Sequence, residues 1–497
     1  RITAWRILLA SSPGLLNGNE ANIWDHKKEI SSPSSEEILP ERRPAESSRV
    51  VYAGPPLRPG KIYYWKIAVW DENGRPSGFS LPASFYLSLP DSGGSFAHYP
   101  LSAALQHPVK MVKTGEGRYF ADFGKDALGQ LKLRLTGNVN DRAWVEVGEA
   151  LAAAHTIDSS PGRNIRFLRL PLPLEKGVHE YTLAWPVNEK RNSRNPVPMP
   201  GYIGEVFPFR YVALRGVKGD LQKESLQRKA VFYPFDEDAS AFVSDDTVLN
   251  KVWDLCKYSI KATSFTGYYV DGDRERIPYE ADALINQRSH YAVDAEYSMA
   301  RRTMEYLLFH PTWPTEWSLQ NIPLAWNDYL YTGDPTFLRK YYTELQKKAL
   351  MPLAGDNGLI STKTNKQTPA FLRSIHIVKA FDNKAKLVDI VDWPQKGDFT
   401  GNEKEYPGET DGFVFTTYNA VVNAWYYHNL VLLQKMAEAL GRSSDRLLYK
   451  RKAEEVYRSF RQVFRDPQTG LIKDGDSTLH TSLHSNMFAL VFGLVPE

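Results

Sequence analysis

The sequence predicts a multidomain β + α protein, with two N-terminal β-sandwiches followed by a helical domain. Three observations predict it. Apolar residues alternate with period two over roughly the first 235 positions, and the period changes to 3.6 near residue 241. Strands and helices are also segregated along the chain, which indicates separate domains in place of one mixed sheet.

The chain opens as a strand, Arg1-Ile2-Thr3-Ala4-Trp5-Arg6-Ile7-Leu8-Leu9, with Trp5, Ile7 and Leu9 alternating. Lys61 to Trp70 is the clearest strand, with Tyr63, Trp65, Ile67 and Val69 on one face. Pro55 to Gly60 supplies the loop before it, and Asp71-Glu72-Asn73-Gly74 ends it with the Asn-Gly signal of a hairpin. Residues 1–90 are read as a fibronectin type III-like sandwich, with Ser92-Gly93-Gly94-Ser95 as a linker.

A second module, 91–240, is read as a larger, jelly-roll-like sandwich of about seven or eight short strands. Leu131, Leu133 and Leu135 share one face, with Lys132 and Arg134 on the other. Trp144–Val147, Ile165–Leu170 and Phe209–Leu214 repeat that grammar, and a long polar loop runs from Asn188 to Met199.

Ser244-Asp245-Asp246 is an N-cap region, and Val248, Val252, Leu255 and Cys256 follow at helical spacing. Helical segments then recur at about 280–309, 318–332, 335–349, 416–440, 444–464 and 482–493, within a third domain, 241–497. Several lack a clean polar face, as helices packed on two sides do.

Composition narrows the function classes. The chain has 497 residues, 42% hydrophobic and 24% charged, an ordinary folded balance. A net charge of +3, from 61 basic and 58 acidic residues, gives no electrostatic footprint for nucleic acid. No apolar run approaches the ~20 residues that span a bilayer. Cys256 is the one cysteine, which excludes an internal disulfide and a multi-cysteine metal site. Twelve Trp and 27 Tyr are many, and such rings serve either as core or as platforms for sugars. The absence of a leading Met and of a signal region indicates a processed or trimmed chain.

One segment stands apart, Tyr268-Tyr269-Val270-Asp271-Gly272-Asp273-Arg274-Glu275-Arg276-Ile277-Pro278-Tyr279-Glu280-Ala281-Asp282. Five carboxylates and two arginines fall between 271 and 282, bracketed by tyrosines. Structural salt bridging is one reading and a functional cleft the other. In a cleft, burial and neighbouring carboxylates would raise a carboxyl's pKa, as a general acid requires, and an arginine would keep others ionised to bind hydroxyls. Glycoside hydrolysis needs such a proton donor and a second carboxylate as base or nucleophile.

Over essentially its whole length the sequence resembles the bacterial α-L-rhamnosidases of glycoside hydrolase family 78. The resemblance rests on Asp271, the Arg274-Glu275 pair, the aromatic Tyr279 and Asp282, in that order. Asp271 stands one residue closer to Arg274 than in the family pattern, and tyrosine replaces the commoner tryptophan. The resemblance implies Glu275 as general acid, with Asp271, Arg274 and Asp282 gripping rhamnose hydroxyls. Asp392-Trp393, in Leu387 to Pro394, resembles the family's Asp-Trp loop beside the sugar. Trp313 to Trp317 and Trp326 to Tyr329 fall where pocket aromatics are expected, so Tyr279 and Trp317 join the substrate-binding set. His480 and His484 are read either as cleft residues or as hydrogen-bonded core residues, and His484 is placed with the substrate. The accessory β-domains find their likeness in Tyr64 to Asp71 and Tyr119 to Gly124.

The implied fold of the third domain is an (α/α)6 toroid of six helical hairpins. The residues after position 240 hold roughly eight or nine helices where twelve are needed, so an incomplete toroid is expected. The base that activates water is expected beyond Glu497. The implied activity is inverting removal of terminal α-L-rhamnose from a glycan or glycoside. No metal or organic cofactor and no nucleic acid partner are expected, and a secreted or periplasmic location is. Two alternatives stand beside it: a non-catalytic carbohydrate-binding protein, and an (α/α)6 enzyme of different sugar specificity.

Overall fold

The structure is a computed structural model that describes residues 2–29, 50, 52–87, 96, 98–162, 164–187, 196–377, 386–395 and 408–495. The chain divides into two compact units, Arg1–Tyr99 and Pro100–Glu497. The second β-module and the helices are therefore described together. The linker expected at 92–95 lies outside the described residues.

In the first unit, strands β1 (Ile2–Ala10), β2 (Trp24–Glu29), β3 (Lys61–Asp71) and β4 (Ala83–Leu87) form one sheet of order β2-β1-β3-β4. All pairs are antiparallel, with Leu8 opposite Lys66. A one-turn helix, α1 (Pro13–Asn17), follows β1. Both faces of β1 are covered: Trp5, Ile7 and Leu9 are buried on one, and Leu8 and Ala10 pack with Leu16 on the other. That second face holds the buried Lys66, whose ammonium is hydrogen-bonded to Leu16 O and Asn19 Oδ1. The alternation on β3 thus marks a strand with both sides partly covered, not one apolar face over a polar one.

In the second unit the strands are β5 (Ser102–Gln106), β6 (Lys110–Gly115), β7 (Arg118–Gly137), β8 (Arg142–Gly148), β9 (Leu151–Ala153), β10 (Thr156–Ile157), β11 (Phe167–Pro173), β12 (Gly177–Thr182), β13 (Phe207–Arg215) and β14 (Leu226–Phe232). Eight of them make a single sheet, ordered β11-β8-β13-β7-β14-β5, with β6 and β12 also paired to β7. The two layers expected of a jelly roll are thus joined by hydrogen bonds through one 20-residue strand. Its first half pairs with β13 and β6, and its second half with β14 and β12. Gly124, at φ 82° in a conformation that disfavours a side chain, lies between the halves, opposite a register shift at Phe209/Tyr211. Leu131, Leu133 and Leu135 are at most 1% exposed and pack with Val145, Val147, Val212 and Leu214, so the expected leucine face is the core. Each such side chain contributes about 1.5–3 kcal/mol by leaving water.

The helical part holds α2 (Thr247–Ala262), α3 (Glu280–Val293), α4 (Ser298–Phe309), α5 (Thr315–Leu319), α6 (Asn321–Thr332), α7 (Thr336–Lys348), α8 (Pro369–Ser374), α9 (Ala420–Ala439), α10 (Ser443–Phe464) and α11 (Leu483–Val491). Asp246 caps α2 as expected, accepting from Val248 N and Leu249 N. The apolar spacing on α2 is not a core stripe, however: Val248, Leu249, Val252 and Leu255 are all exposed. The segment expected as one helix over 280–309 is two. Asp294 Oδ1 accepts from Ala295 N, and Glu296 accepts from Ser298 N and Met299 N, so acidic side chains capture the backbone where the helix breaks. Left-handed glycines make two of the tight helix–helix connections, Gly333 between α6 and α7 and Gly441 between α9 and α10.

Candidate active site

The acidic segment is the connection between α2 and α3. Two residues shape it by positive φ, Gly272 at 88° and Arg276 at 57°. Asp271 N donates to Ile277 O at 3.2 Å and Arg276 N to Gly272 O at 3.2 Å, closing the turn on itself. The Arg276 guanidinium holds it from below. It is 2% exposed, lies 2.8 Å from Asp273 Oδ1 and 2.7 Å from Glu205 Oε1, and donates to Val206 O at 3.2 Å. Arg166 reaches Asp273 from the other side at 3.2 Å. Of the two arginines, then, Arg276 makes a buried salt bridge with Asp273, and Arg274 a half-exposed one with Asp271.

Arg274 keeps about half of its side chain in solvent and pairs with Asp271 Oδ2 at 3.1 Å. Asp271 is nearly buried, and burial first, then the charge of Glu275, raises its pKa. Asp282 lies in the first turn of α3. Burial and then Asp271, with Glu275 and Glu280 behind, push its carboxyl up to about 6. Asp271, Arg274, Glu275 and Asp282 thus form one electrostatic cluster. Glu280 is separate: fully buried, it accepts from Thr312 N at 3.1 Å and from the Thr312 hydroxyl, and faces Lys348.

Tyr279 stands where α3 begins and donates its phenol to Glu275 Oε2. Its ring meets Trp317 of α5 edge to face, centroids 5.5 Å apart. The buried Tyr279, expected as a sugar contact, is thus bonded to the candidate acid.

The Asp-Trp loop joins this group through α5. Glu316, next to Trp317, is buried and accepts from Ile390 N at 3.1 Å and Val391 N at 2.9 Å. Burial and the neighbouring Asp389 push its carboxyl up to about 8. Thr315 N and Val388 N add backbone bonds between the same segments. Beyond that anchor, Asp392 Oδ2 lies 3.0 Å from Nε2 of His484 on α11, and Trp393 meets Trp313 edge to face at 6.1 Å. Trp393 is 38% exposed and so open to a ligand. His484 Nδ1 is buried without a hydrogen-bond partner among the described residues.

His480 is hydrogen-bonded but exposed, so it is not the core residue of the alternative reading. Its Nδ1 lies 2.6 Å from Asp474, which also accepts from Val414 N, Ser482 N and the Ser485 hydroxyl. The sequence-singled residues thus fall into two groups, Asp271–Arg274–Glu275–Tyr279–Asp282–Trp317 and Asp392–Trp393–His484, tied by Glu316. Sequence reasoning missed Glu316 and Arg276, because nothing local distinguishes a buried anchor from a surface charge. Among the described residues no three His, Cys, Asp or Glu side chains are gathered to hold a metal.

Sheet domains followed by helices around an acidic turn form the architecture of the six-hairpin glycosidases, and comparison with known proteins agrees. Residues 237–497 match a family model described as the bacterial alpha-L-rhamnosidase six-hairpin glycosidase domain, and residues 1–91 match a Rha78A-like N-terminal immunoglobulin domain. The chain belongs to the bacterial α-L-rhamnosidase six-hairpin glycosidase family. The first module, read from sequence as a fibronectin type III-like sandwich over residues 1–90, is the part that this immunoglobulin domain model matches.

Among solved structures, an α-L-rhamnosidase from Dictyoglumus thermophilum is similar in fold, with a TM-score of 0.60 and 15% identity, over 100% of this chain and 72% of that one. A Streptomyces avermitilis α-L-rhamnosidase complexed with L-rhamnose gives 0.54 and 14%, over 100% and 49%. A Klebsiella oxytoca rhamnosidase with rhamnose bound gives 0.54 and 12%, over 80% and 77%. A curated α-L-rhamnosidase of Formosa agariphila is 34% identical over 89 residues, 18% of this chain and 8% of that relative.

Proposed function

We propose that this protein is a glycoside hydrolase that removes terminal α-L-rhamnose with inversion, Glu275 acting as the general acid. One observation carries the reading: Glu275 sits among Asp271, Arg274 and Asp282 with its carboxyl bonded to Tyr279, in a chain of this family. The acid protonates the glycosidic oxygen as the C–O bond breaks, and water adds to the opposite face of the sugar as a second carboxylate, the base, takes its proton. Asp271, paired with Arg274, accepts hydrogen bonds from rhamnose hydroxyls, and Asp282 does the same from the start of α3. Trp393 offers the apolar face of the sugar a ring, and the Asp392–His484 pair fixes that side of the loop. The substrate class is a rhamnose-containing oligosaccharide, polysaccharide or glycoside, and its polymeric form favours a secreted or periplasmic enzyme.

The test is hydrolysis of α-L-rhamnosides by the chain, with NMR reading the anomer first released. Glu275→Gln is expected to lower kcat by about 10²–10⁴ on a poor leaving group while L-rhamnose still binds. An unchanged kcat in that variant overturns the assignment of the acid, and a retained anomer overturns inversion.

A further inference from the structure

Two tryptophans are the most exposed among the described residues. Trp393, at 38%, lies in the Asp-Trp loop, and Trp144, at 41%, lies on β8. Its strand neighbours Val145 and Val147 point into the core of the second β-domain. Trp144 and Glu146 therefore stand on the outer face of that sheet. Neither the core nor the candidate active site uses this indole.

The register sets the outer face in rows across four neighbouring strands, β11-β8-β13-β7. One row reads Pro171, Trp144, Arg215 and Arg118, and the next reads Arg169, Glu146, Ala213 and Phe120. Arg215 and Arg118 stand directly opposite each other, and like charges so placed destabilise a sheet. Arg118 is exposed and has no carboxylate partner among the described residues. Glu146, 4% exposed, lies 2.7 Å from Arg169 and 3.3 Å from Arg215. It fixes both guanidiniums, but one carboxylate offsets only one of their two charges. Arg169 and Arg215 keep about half of their side chains in solvent, with more N–H donors than Glu146 engages.

An exposed indole beside fixed guanidiniums is the complement of a sugar that carries a carboxylate. The apolar side of the ring packs on the indole, and the carboxylate takes a forked pair of hydrogen bonds from a guanidinium. The first row spans three steps between strands, roughly 14 Å, so a polymer that repeats the carboxylate can lie along it. A neutral glycan would leave the opposed arginines uncompensated. Faces of this kind also hold single-stranded nucleic acid, but the chain is a glycosidase by family and its net charge is only +3. We propose that this face is a second carbohydrate site, apart from the acidic turn, and that it binds an acidic polysaccharide built of uronic acids. The proposal does not depend on which residue is the general acid.

The test is binding of the full chain to immobilised polygalacturonate, read by interferometry at about 0.15 M salt, where long-range charge effects are screened. Dextran and single-stranded DNA serve as the neutral and the phosphate-bearing polymers. Polygalacturonate is expected to bind at least about tenfold tighter than either. Trp144→Ala leaves every charge in place, and Arg215→Ala leaves Glu146 paired with Arg169. Each is expected to weaken binding about tenfold. Lys132→Ala removes an exposed charge from the other half of β7 and is expected to change nothing. No binding, equal binding of dextran or DNA, or an affinity that Trp144→Ala does not move overturns the proposal.

Discussion

The Tyr279 phenol donates to the Glu275 carboxyl, and the ring that carries it leans edge-on against Trp317. The orientation of the candidate acid is therefore set by a residue locked in an aromatic pair, four positions further along the chain. A side-chain hydrogen bond is worth about 0.5–1.5 kcal/mol net. Tyr279→Phe keeps the ring and removes the donor, and is expected to lower kcat about tenfold or more with little change in KM. Steady-state kinetics on an aryl rhamnoside reads both, and a change confined to KM would show that Tyr279 touches sugar instead.

Asp282 gives a pH signature in stability. Its pKa rises from 3.8 unfolded to about 6 folded, so between those values the folded state holds the extra proton. Stability from this group is present at pH 4 and is lost as pH rises to 6, by no more than about 3 kcal/mol. Asp282→Asn does not titrate. It is expected to melt above the parent at pH 7, to match it near pH 4, and to bind L-rhamnose more weakly. Thermal melts across that range decide it: equal melting temperatures at pH 7 would contradict the burial described for this carboxyl.

Arg276 answers for the turn itself. Arg276→Met removes the buried cation beside Glu205 and Asp273. Breaking a buried ion pair by removing one partner costs roughly 3–5 kcal/mol, and the denaturant midpoint should fall accordingly. A variant as stable as the parent would mean that the turn holds without its buried guanidinium.

Glu316 acts on the Asp-Trp loop from a distance. Glu316→Ala strips the acceptors from Ile390 N and Val391 N, while Trp393→Ala removes the exposed ring directly. Each is expected to weaken L-rhamnose binding about tenfold, and calorimetry measures it. If Trp393→Ala weakens binding and Glu316→Ala does not, the loop is held by its other bonds.

Much of the fold was legible because its signals are local. The β3 strand runs Lys61–Asp71 where Lys61 to Trp70 was expected, and Asp246 caps α2 as its residue type indicated. The leucines at 131, 133 and 135 are core because alternation reports a covered face directly. The two helices within 280–309 were merged because Asp294 and Glu296 end and restart a helix only through side-chain bonds. Exposure of the α2 apolar residues was not legible at all, since period 3.6 gives a face and not what covers it.

The site divides in the same way. The sequence by itself determined the acidic turn, because five carboxylates and two arginines between tyrosines fall in one short stretch, and the resemblance to the family rested on the order Asp271, Arg274-Glu275, Tyr279 and Asp282. Only the tertiary structure decided which charges do what. Arg274 and Arg276 are indistinguishable as letters, yet one is half in solvent beside Asp271 and the other is buried between Asp273 and Glu205. Asp392 and His484 meet across 92 positions. Burial and pairing set a side chain's charge, and both are properties of neighbours that the chain supplies from far away in sequence.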